Sequence, residues 1–327
     1  MISVLRFNFV QPGLEPTEMS ERYRAGIEMA AYADGHGFMA VSFEEHHGAE
    51  NGWSPSPLIT AGMVLTRTTN VRVTIQALLV PLHDPLRIAE DVAVLDLASN
   101  GRLSAVAGLG YRPIEYRAHG KDWDGRGALM DHCLDTILKA WSGEPFEHNG
   151  ATIRVTPTPK SSPQQLLFVG GRTRVAARRA ARFGLPFWPV ADLPDLEAYY
   201  LDQCKEHGTN GFVIMPSPDT TFTFVADDPD KAWAELGHHF LHEAQTYAGW
   251  QNNDTHSAAY SAATTVDELR AEGKYTIRTP AECVELATTD PTFVFVHHPL
   301  CGGLPVDRAW ESLQVFVDDV VPAINPS

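Results

Sequence analysis

Residues Val71 to Ile75 read Val-Arg-Val-Thr-Ile, a short β-branched run of the kind that forms a buried strand. A second run of this kind, Thr-Phe-Val-Phe-Val, spans Thr292 to Val296. Similar runs alternate along the chain with longer segments of helical period, which is typical of a βα fold with a parallel sheet. We predict eight strands, each followed by a helical segment, at residues 3–10, 38–43, 71–80, 102–109, 166–170, 185–190, 221–226 and 292–297.

This repeat predicts an α/β fold of the TIM (β/α)8 barrel class, formed as a single domain over residues 1–327. An open, doubly wound sheet is the alternative, and its usual mark is a G-x-G-x-x-G turn after the first strand. Residues 10–13 occupy that place and read Val-Gln-Pro-Gly, which favours the barrel. Residues 144–165 and 248–278 interrupt the repeat, and we interpret both stretches as insertions in barrel loops.

Several predicted helices begin with a capping residue followed by proline, whose fixed φ suits the first helical position. These pairs are Ser56-Pro57, Asp84-Pro85 and Asp228-Pro229. Residues 279–282 read Thr-Pro-Ala-Glu, a capping box for an additional helix before the last strand.

The chain is acidic: 25 lysines and arginines stand against 41 aspartates and glutamates, a formal net charge of -16. Such a surface repels phosphate backbones, so we expect no nucleic-acid partner. No apolar run approaches the roughly 18–20 residues of a membrane span, and the first residues lack the basic start of a signal peptide. The four cysteines are widely spaced, which indicates reduced thiols in a cytoplasmic protein.

Carboxylate and imidazole side chains follow the second predicted strand, where residues 44–47 read Glu-Glu-His-His. Active sites of TIM barrels lie at the carboxyl ends of the strands, so these side chains are candidate catalytic groups. Alternation along an extended chain predicts that His46 and His47 point in different directions. One of them would enter the barrel mouth as an acid or base near neutral pH. The alternative is a pair of loop histidines bonded to their neighbours.

A local excess of positive charge follows the fifth predicted strand. Five arginines lie between Arg172 and Arg182, directly after Gly170 and Gly171. Glycines let backbone amides approach an anion closely, and a helix that begins near Thr173 adds partial positive charge at its start. This pattern predicts a phosphate site at residues 170–173, with a solvated basic helix face as the alternative.

Two further histidine groups do not predict a metal site. His238 and His242 have the i, i+4 spacing that can hold zinc, but they lack the glutamate of the H-E-x-x-H signature and lie inside a predicted helix. His297 and His298 follow the last strand without a nearby carboxylate cluster. We therefore expect no bound metal.

Four stretches together resemble the luciferase-like monooxygenases, flavin-dependent barrel enzymes related to the bacterial luciferase alpha subunit. They are Glu-His-His at 45–47, the Pro-x-x-x-Pro-x-Arg-x-Ala-Glu-Asp-Val stretch at 81–92, Gly-Leu-Gly-Tyr-Arg-Pro-Ile-Glu-Tyr at 108–116, and the glycine turn within 169–184. The resemblance covers most of residues 2–190 and resumes at 279–322.

The resemblance implies a cofactor, reduced FMN or alternatively a deazaflavin, bound in the barrel mouth. It assigns His46 as the catalytic histidine and places a non-proline cis peptide at Gln76-Ala77. The cofactor would contact Gln76, Ala77, Gly110, Gly170, Gly171, Arg172 and Thr173.

The chain differs from luciferase alpha subunits in the residues expected to bind the cofactor phosphate. Leu109 stands where those chains have a basic residue, and Ala176 stands at an aligned hydroxyl position. Arg112 and Arg126 are possible substitutes.

The resemblance also implies a small-molecule substrate, a separate flavin reductase that supplies the reduced cofactor, and a homodimer formed through the second and third helices. From their positions at strand ends, we expect the substrate to contact His47, Tyr111, Trp188 and His297. Three alternatives remain open: a deazaflavin-dependent oxidoreductase that transfers hydride, a non-catalytic flavin-binding protein, and a metal-dependent barrel hydrolase.

Overall fold

The computed structural model describes residues 2–217, 221–251 and 260–324. Its strands are β1 (Ile2–Phe7), β2 (Ala40–Phe43), β3 (Arg72–Leu78), β4 (Leu103–Ala107), β5 (Phe146–His148), β6 (Ala151–Ile153), β7 (Leu167–Gly171), β8 (Phe187–Pro189), β9 (Phe222–Val225), β10 (Tyr275–Arg278) and β11 (Val294–His297).

Helices surround these strands in the α/β pattern that the sequence predicts. They are α1 (Pro16–Gly35), α2 (Pro57–Arg67), α3 (Pro85–Ser99), α4 (Pro113–Ala118), α5 (Arg126–Trp141), α6 (Pro163–Leu166), α7 (Arg174–Phe183), α8 (Pro194–His207), α9 (Pro229–Trp250), α10 (Val266–Glu272), α11 (Pro280–Thr289), α12 (Val306–Val315) and α13 (Val321–Ile324).

Nine of the strands form one parallel sheet in the order β10-β9-β11-β1-β2-β3-β4-β7-β8, while β5 and β6 form a separate antiparallel hairpin. Phe222 of β9 and Trp188 of β8 line the same central cavity, although these two strands lie toward opposite ends of the strand order. The sheet therefore curls around an axis, and the predicted α/β barrel is confirmed. All eight predicted strands are present.

Side-chain alternation along the strands divides the barrel into an apolar outside and a partly polar inside. In β3, Val73 and Ile75 are fully buried in the core between sheet and helices, whereas Thr74 faces the central cavity. Parallel registers align Arg6, Ser42, Thr74 and Ser104 across four neighbouring strands, and all four line the cavity. The hydrophobic core therefore lies outside the barrel wall, and the inside remains open.

The helix starts agree with their sequence signals. Helices α2, α3, α9 and α11 begin at the predicted prolines. Asp84 accepts hydrogen bonds from the amides of Leu86 and Arg87, and Asp228 accepts one from Lys231. Thr279 and Glu282 form the predicted capping box.

Residues 248–278 differ from the loop insertion that the sequence analysis predicts. Tyr275–Arg278 forms β10, which pairs in parallel with β9 and therefore belongs to the sheet. This strand has only four residues, of which Tyr275 and Ile277 are buried. So short an alternation of buried and partly exposed residues does not predict a strand within a polar stretch. Residues 252–259 lie outside the described part of the chain. The predicted insertion at 144–165 contains the β5–β6 hairpin and the short helix α6.

All four cysteines are buried free thiols. Within the described ranges, no helix has both the length and the apolar composition required to cross a membrane.

We expect the Asp84→Ala variant to lose about 1 kcal/mol of unfolding free energy, because two amides at the start of α3 would lose their acceptor. Ser56→Ala is the matched control, since Ser56 precedes proline in the same way but its side chain makes no capping hydrogen bond. Urea unfolding measures both variants. Equal losses in the two variants would contradict the capping role of Asp84.

Candidate active site

A cavity of about 1620 Å³ occupies the interior of the barrel. Residues at the starts of strands, such as Ile2 and Arg72, and residues beyond their ends, such as Gly110 and Arg172, line it together. Ordinary ligand pockets enclose roughly 300–1,000 Å³. This cavity therefore has room for a cofactor and a substrate at once.

The segment after β2 places its two histidines on different sides of the barrel wall, as alternation predicts. Glu44 and His46 line the cavity. The His47 ring turns elsewhere: its Nε2 lies 2.9 Å from Glu45 Oε1, and its ring contacts that of His119.

Two hydrogen bonds fix the His46 imidazole, which is almost fully buried. Its Nδ1 lies 2.9 Å from Glu115 Oε1, and its Nε2 lies 3.0 Å from the Tyr111 hydroxyl. An ionised carboxylate only accepts hydrogen bonds, so Nδ1 carries a proton and Nε2 is the nitrogen that faces the Tyr111 hydroxyl. Burial raises the pKa of Tyr111, which keeps that phenol protonated.

Glu115 anchors this arrangement from α4. Its Oε1 also accepts from the His47 amide at 2.9 Å and from the Arg112 guanidinium at 2.9 Å. Burial alone would raise the pKa of Glu115, but the hydrogen bonds from His46 and His47 and the charge of Arg112 hold that pKa below its usual value. The carboxylate is therefore ionised when it orients the imidazole.

Aromatic rings enclose His46. Its ring centroid lies 5.4 Å from that of Trp53 and 4.8 Å from that of Trp250. The Arg112 guanidinium lies 4.0 Å from the centroid of the Trp250 ring. These rings limit the access of water to His46.

A buried charge network supports the wall next to His46. Arg6 donates to Glu44 at 2.5 Å and to Glu243 of α9 at 2.8 Å. The Tyr247 hydroxyl accepts from Arg6 at 2.9 Å and donates to Glu44 at 2.8 Å. Burial would raise the pKa of Glu243, but the His298 and Arg6 side chains hold it well below its usual value.

The end of β7 and the two residues that follow it form a candidate anion site at another part of the cavity wall. Gly170, Gly171, Arg172 and Thr173 all line the cavity there, and Arg126 lines it as well. Gly171 has a φ of 145°, and a Cβ at this position would lie 2.6 Å from the Ala176 Cβ. Thr173 caps the ten-residue helix α7 by accepting from the Ala176 amide. Close backbone approach, a helix start and two arginines are the features that a phosphate group requires.

The remaining predicted cofactor contacts lie between these two regions. The Gln76-Ala77 peptide is cis, as the family resemblance implies. Gln76, Ala77 and Gly110 line the cavity. Gly108 allows the close approach of the chain here, because a Cβ on it would lie 2.6 Å from the Ala77 Cβ.

The geometry corrects two of the predicted substrate contacts. His297 faces the core outside the barrel wall, because alternation along β11 places Val294 and Val296 inside. Its ring lies 4.2 Å from the Phe316 ring, and burial lowers its pKa to about 3. His47 also faces away from the cavity, as described above.

Tyr111 and Trp188, the other two residues predicted to contact substrate, both line the cavity. Arg112 differs from its suggested role in the phosphate grip. Its guanidinium donates to Glu115 and to the His47 carbonyl, both at 2.9 Å.

The sequence analysis assigned no role to Glu115, Arg6 or Tyr247. Glu115 lies in the 108–116 motif, so the sequence shows a carboxylate at this position but not the residue with which it forms a hydrogen bond. Arg6 had a detectable signal, because it is the one charged residue of the first strand. Tyr247 lies on α9, 241 residues from Arg6, and no local pattern could connect the two.

Comparison with known proteins identifies the family of this chain. A sequence profile described as luciferase-like monooxygenase matches residues 1–288. The alkanal monooxygenase alpha chain of Photorhabdus luminescens is 24% identical over 334 residues, which cover 91% of each chain. The oxygenase component of a flavin-dependent trigonelline monooxygenase from Acinetobacter baylyi is 30% identical over 158 residues, 48% of this chain and 43% of that protein. With three curated relatives at 30–31% identity, the match spans only 38–44% of the relative's own length.

Solved structures share the whole fold. Monooxygenase RslO1 from Streptomyces bottropensis has a TM-score of 0.74 at 22% identity, covering 98% of this chain and 99% of that one. The oxygenating constituent of 3,6-diketocamphane monooxygenase from Pseudomonas putida, in complex with FMN, has a TM-score of 0.69 at 18% identity and 98% coverage of both chains. An F420-dependent secondary alcohol dehydrogenase has a TM-score of 0.65 at 16% identity, covering 99% of this chain and 98% of that one.

We expect Glu243→Gln to lose about 3–5 kcal/mol of unfolding free energy at neutral pH, because the buried Arg6 charge loses an ionised partner. The depressed pKa of Glu243 means that its contribution is complete above its ordinary value near 4.5 and declines as the pH falls through the lower folded-state value. The difference between wild type and variant should therefore narrow as the pH falls below 4.5. Urea unfolding at a series of pH values measures this difference.

Glu235→Gln is the control for this prediction. Glu235 lies on the same helix α9, but its ion pair with Arg308 is on the surface and contributes at most about 1 kcal/mol. A pH-independent loss in Glu243→Gln, or a loss no larger than that of the control, would contradict the proposed charge network.

Proposed function

Because the chain belongs to the luciferase-like monooxygenase family, we propose that it is a flavin-dependent monooxygenase that uses reduced FMN and oxygen to oxidise a small organic substrate. One observation carries this proposal: His46, oriented by Glu115, and the glycine turn at 170–173 line the same cavity. A proton-handling group and an anion site are thus available to one bound cofactor.

The turn after β7 would hold the cofactor phosphate. Gly170 and Gly171 line the cavity there, Thr173 caps the start of α7, and Arg126 and Arg172 supply positive charge. The Arg126 guanidinium lies 3.9 Å from the centroid of the Trp123 ring, which fixes its direction. Gln76, Ala77 and Gly110 would contact the ring system. Reduced FMN, when bound, supplies the electrons with which oxygen is activated.

His46 would hold or transfer a proton at Nε2, the nitrogen that faces Tyr111. Glu115 keeps the Nδ1 proton in place and stabilises the imidazolium whenever Nε2 gains a proton. Tyr111 either donates to Nε2 or gives up this bond to a ligand, because it lines the cavity at the same point. The aromatic rings around His46 exclude water from this exchange.

The substrate would occupy the part of the cavity lined by Tyr111 and Trp188. The Phe168 ring lies 5.4 Å from that of Trp188 and 6.4 Å from that of Phe212, and all three line the cavity. An apolar wall of this kind suits a small organic molecule with an aromatic or aliphatic body.

We also propose a separate reductase and a homodimer. The name of the Acinetobacter relative describes an oxygenase component, which supports an external source of reduced flavin. Exposed apolar side chains on α2 (Ile59, Met63) and on α3 (Val94, Leu97) support association of two copies through these helices.

Parallel titration with FMN and a deazaflavin tests the choice of cofactor, and substrate-dependent oxygen uptake tests the activity. Binding of the deazaflavin alone would replace this proposal by a hydride-transfer oxidoreductase. Flavin binding without substrate-dependent oxygen uptake across a broad substrate panel would indicate a non-catalytic flavin-binding protein.

We expect Gly171→Ala to weaken FMN binding at least about 10-fold, because its Cβ would strain a left-handed backbone and contact Ala176. Fluorescence titration measures the affinity. Gly35→Ala is the control, since a Cβ there meets no heavy atom within 4 Å. Unchanged FMN affinity in a folded Gly171→Ala protein would show that this turn does not bind the cofactor phosphate.

We expect His46→Ala to reduce product formed per reduced flavin at least about 100-fold while FMN affinity is retained, because the proton-handling group is lost. Single-turnover reactions in oxygenated buffer measure the yield, with His207→Ala on α8 as the control. A normal yield from His46→Ala would show that the catalytic assignment is wrong.

A further inference from the structure

We propose that this chain binds one divalent cation of the zinc class through Glu45, His47 and His83, in a site beside the flavin cavity. Glu45 and His47 follow β2, whereas His83 lies between β3 and α3. Ligand atoms from the three side chains all lie within 4.8 Å of one another. The sequence analysis expected no metal and did not consider His83, which lies 36 positions after His47 with no spacing rule to connect the two.

The donor set matches the chemistry of zinc. Both imidazoles present Nε2 to the same carboxylate oxygen, Glu45 Oε1, at 2.9 Å from His47 and 2.5 Å from His83. Two histidines and one carboxylate form a frequent zinc ligand set, with water in the fourth position. Tetrahedral zinc ligands stand roughly 3.3 Å apart, so small side-chain rotations would convert these hydrogen bonds into metal bonds.

The surroundings hold the carboxylate in place for such an ion. Glu45 is buried, and its Oε2 accepts from the Leu79 amide at 2.5 Å, which leaves Oε1 directed at the two imidazoles. This is the outer-shell support that metal-binding carboxylates need. One anionic and two neutral ligands would leave the ion with a single positive charge, in a chain with a net charge of -16.

The site is accessible to an ion from solvent. The side chains of His47 and His83 are 12% and 28% exposed. A second cluster, formed by Glu243, His298 and Cys301, also brings ligand types together, but it is completely buried and its carboxylate is already bonded to Arg6 and Asn8. The Glu45 cluster is reachable from solvent, and among the described residues no guanidinium bonds to its carboxylate. It is therefore the better candidate for a metal site.

Metal binding here would join the end of β2 to the segment that precedes α3. His47 is also the residue whose amide donates to Glu115, the partner of His46. The ion would thus fix the main chain on which the catalytic arrangement depends, and of its three ligands Glu45 also lines the cavity. This role is independent of the flavin chemistry, so it can be tested without any cofactor.

Calorimetric titration of the full chain with zinc chloride, after dialysis against a chelator, tests the proposal. We expect one ion per chain for the wild type. Removal of one ligand in His47→Ala or His83→Ala should weaken binding at least about 100-fold, since even the loss of an outer-shell partner weakens metal sites 10–100-fold. His207→Ala on α8 should bind as the wild type does.

Cobalt substitution gives a second measurement. The visible absorption of tetrahedral cobalt should be present in the wild type and absent from both histidine variants. If circular dichroism shows that His83→Ala is unfolded, His83→Gln and Glu45→Gln replace it. No stoichiometric zinc binding, or binding that is unchanged in folded ligand variants, would overturn the proposal and leave a hydrogen-bonded triad.

Discussion

One buried carboxylate oxygen determines the geometry at the end of β2. Glu115 Oε1 accepts hydrogen bonds from the His46 ring, the His47 amide and Arg112, so it joins α4 to the segment that carries both histidines. A buried charge requires such partners, because its lost hydration must be offset. The same bonds determine which nitrogen of His46 carries the proton and which one faces the cavity.

A second group of buried charges holds α9 over this site. Glu243 of α9 is bonded to Arg6 of β1 and to His298 after β11, while Tyr247, one turn further along α9, reaches Glu44. Trp250 then packs against His46 at the end of the same helix. The electrostatic contacts inside the barrel and the aromatic enclosure of His46 are therefore joined through the single helix α9.

The sequence predicted the fold well because each strand–helix unit carries local signals, such as the β-branched run at 71–75 and the cap at Asp84. It also located the cavity-lining residues after β2, β3 and β7. It failed for His297, because one residue of alternation decides which side of the wall a strand-end side chain faces. Glu115 and Arg6 escaped assignment because their partners are distant in sequence, and pairing over such distances leaves no local pattern.

The position of the apolar core has an evolutionary consequence. Val73, Ile75 and their counterparts pack between sheet and helices, whereas Thr74, Ser104 and Val106 surround open space. Exchanging an uncharged residue on this inner wall leaves no new void in the packed layer, so its effect on stability is small compared with a core truncation. Substrate selectivity can therefore change during the evolution of such a barrel while the fold stays stable. The chemistry and the stability of the protein can evolve separately.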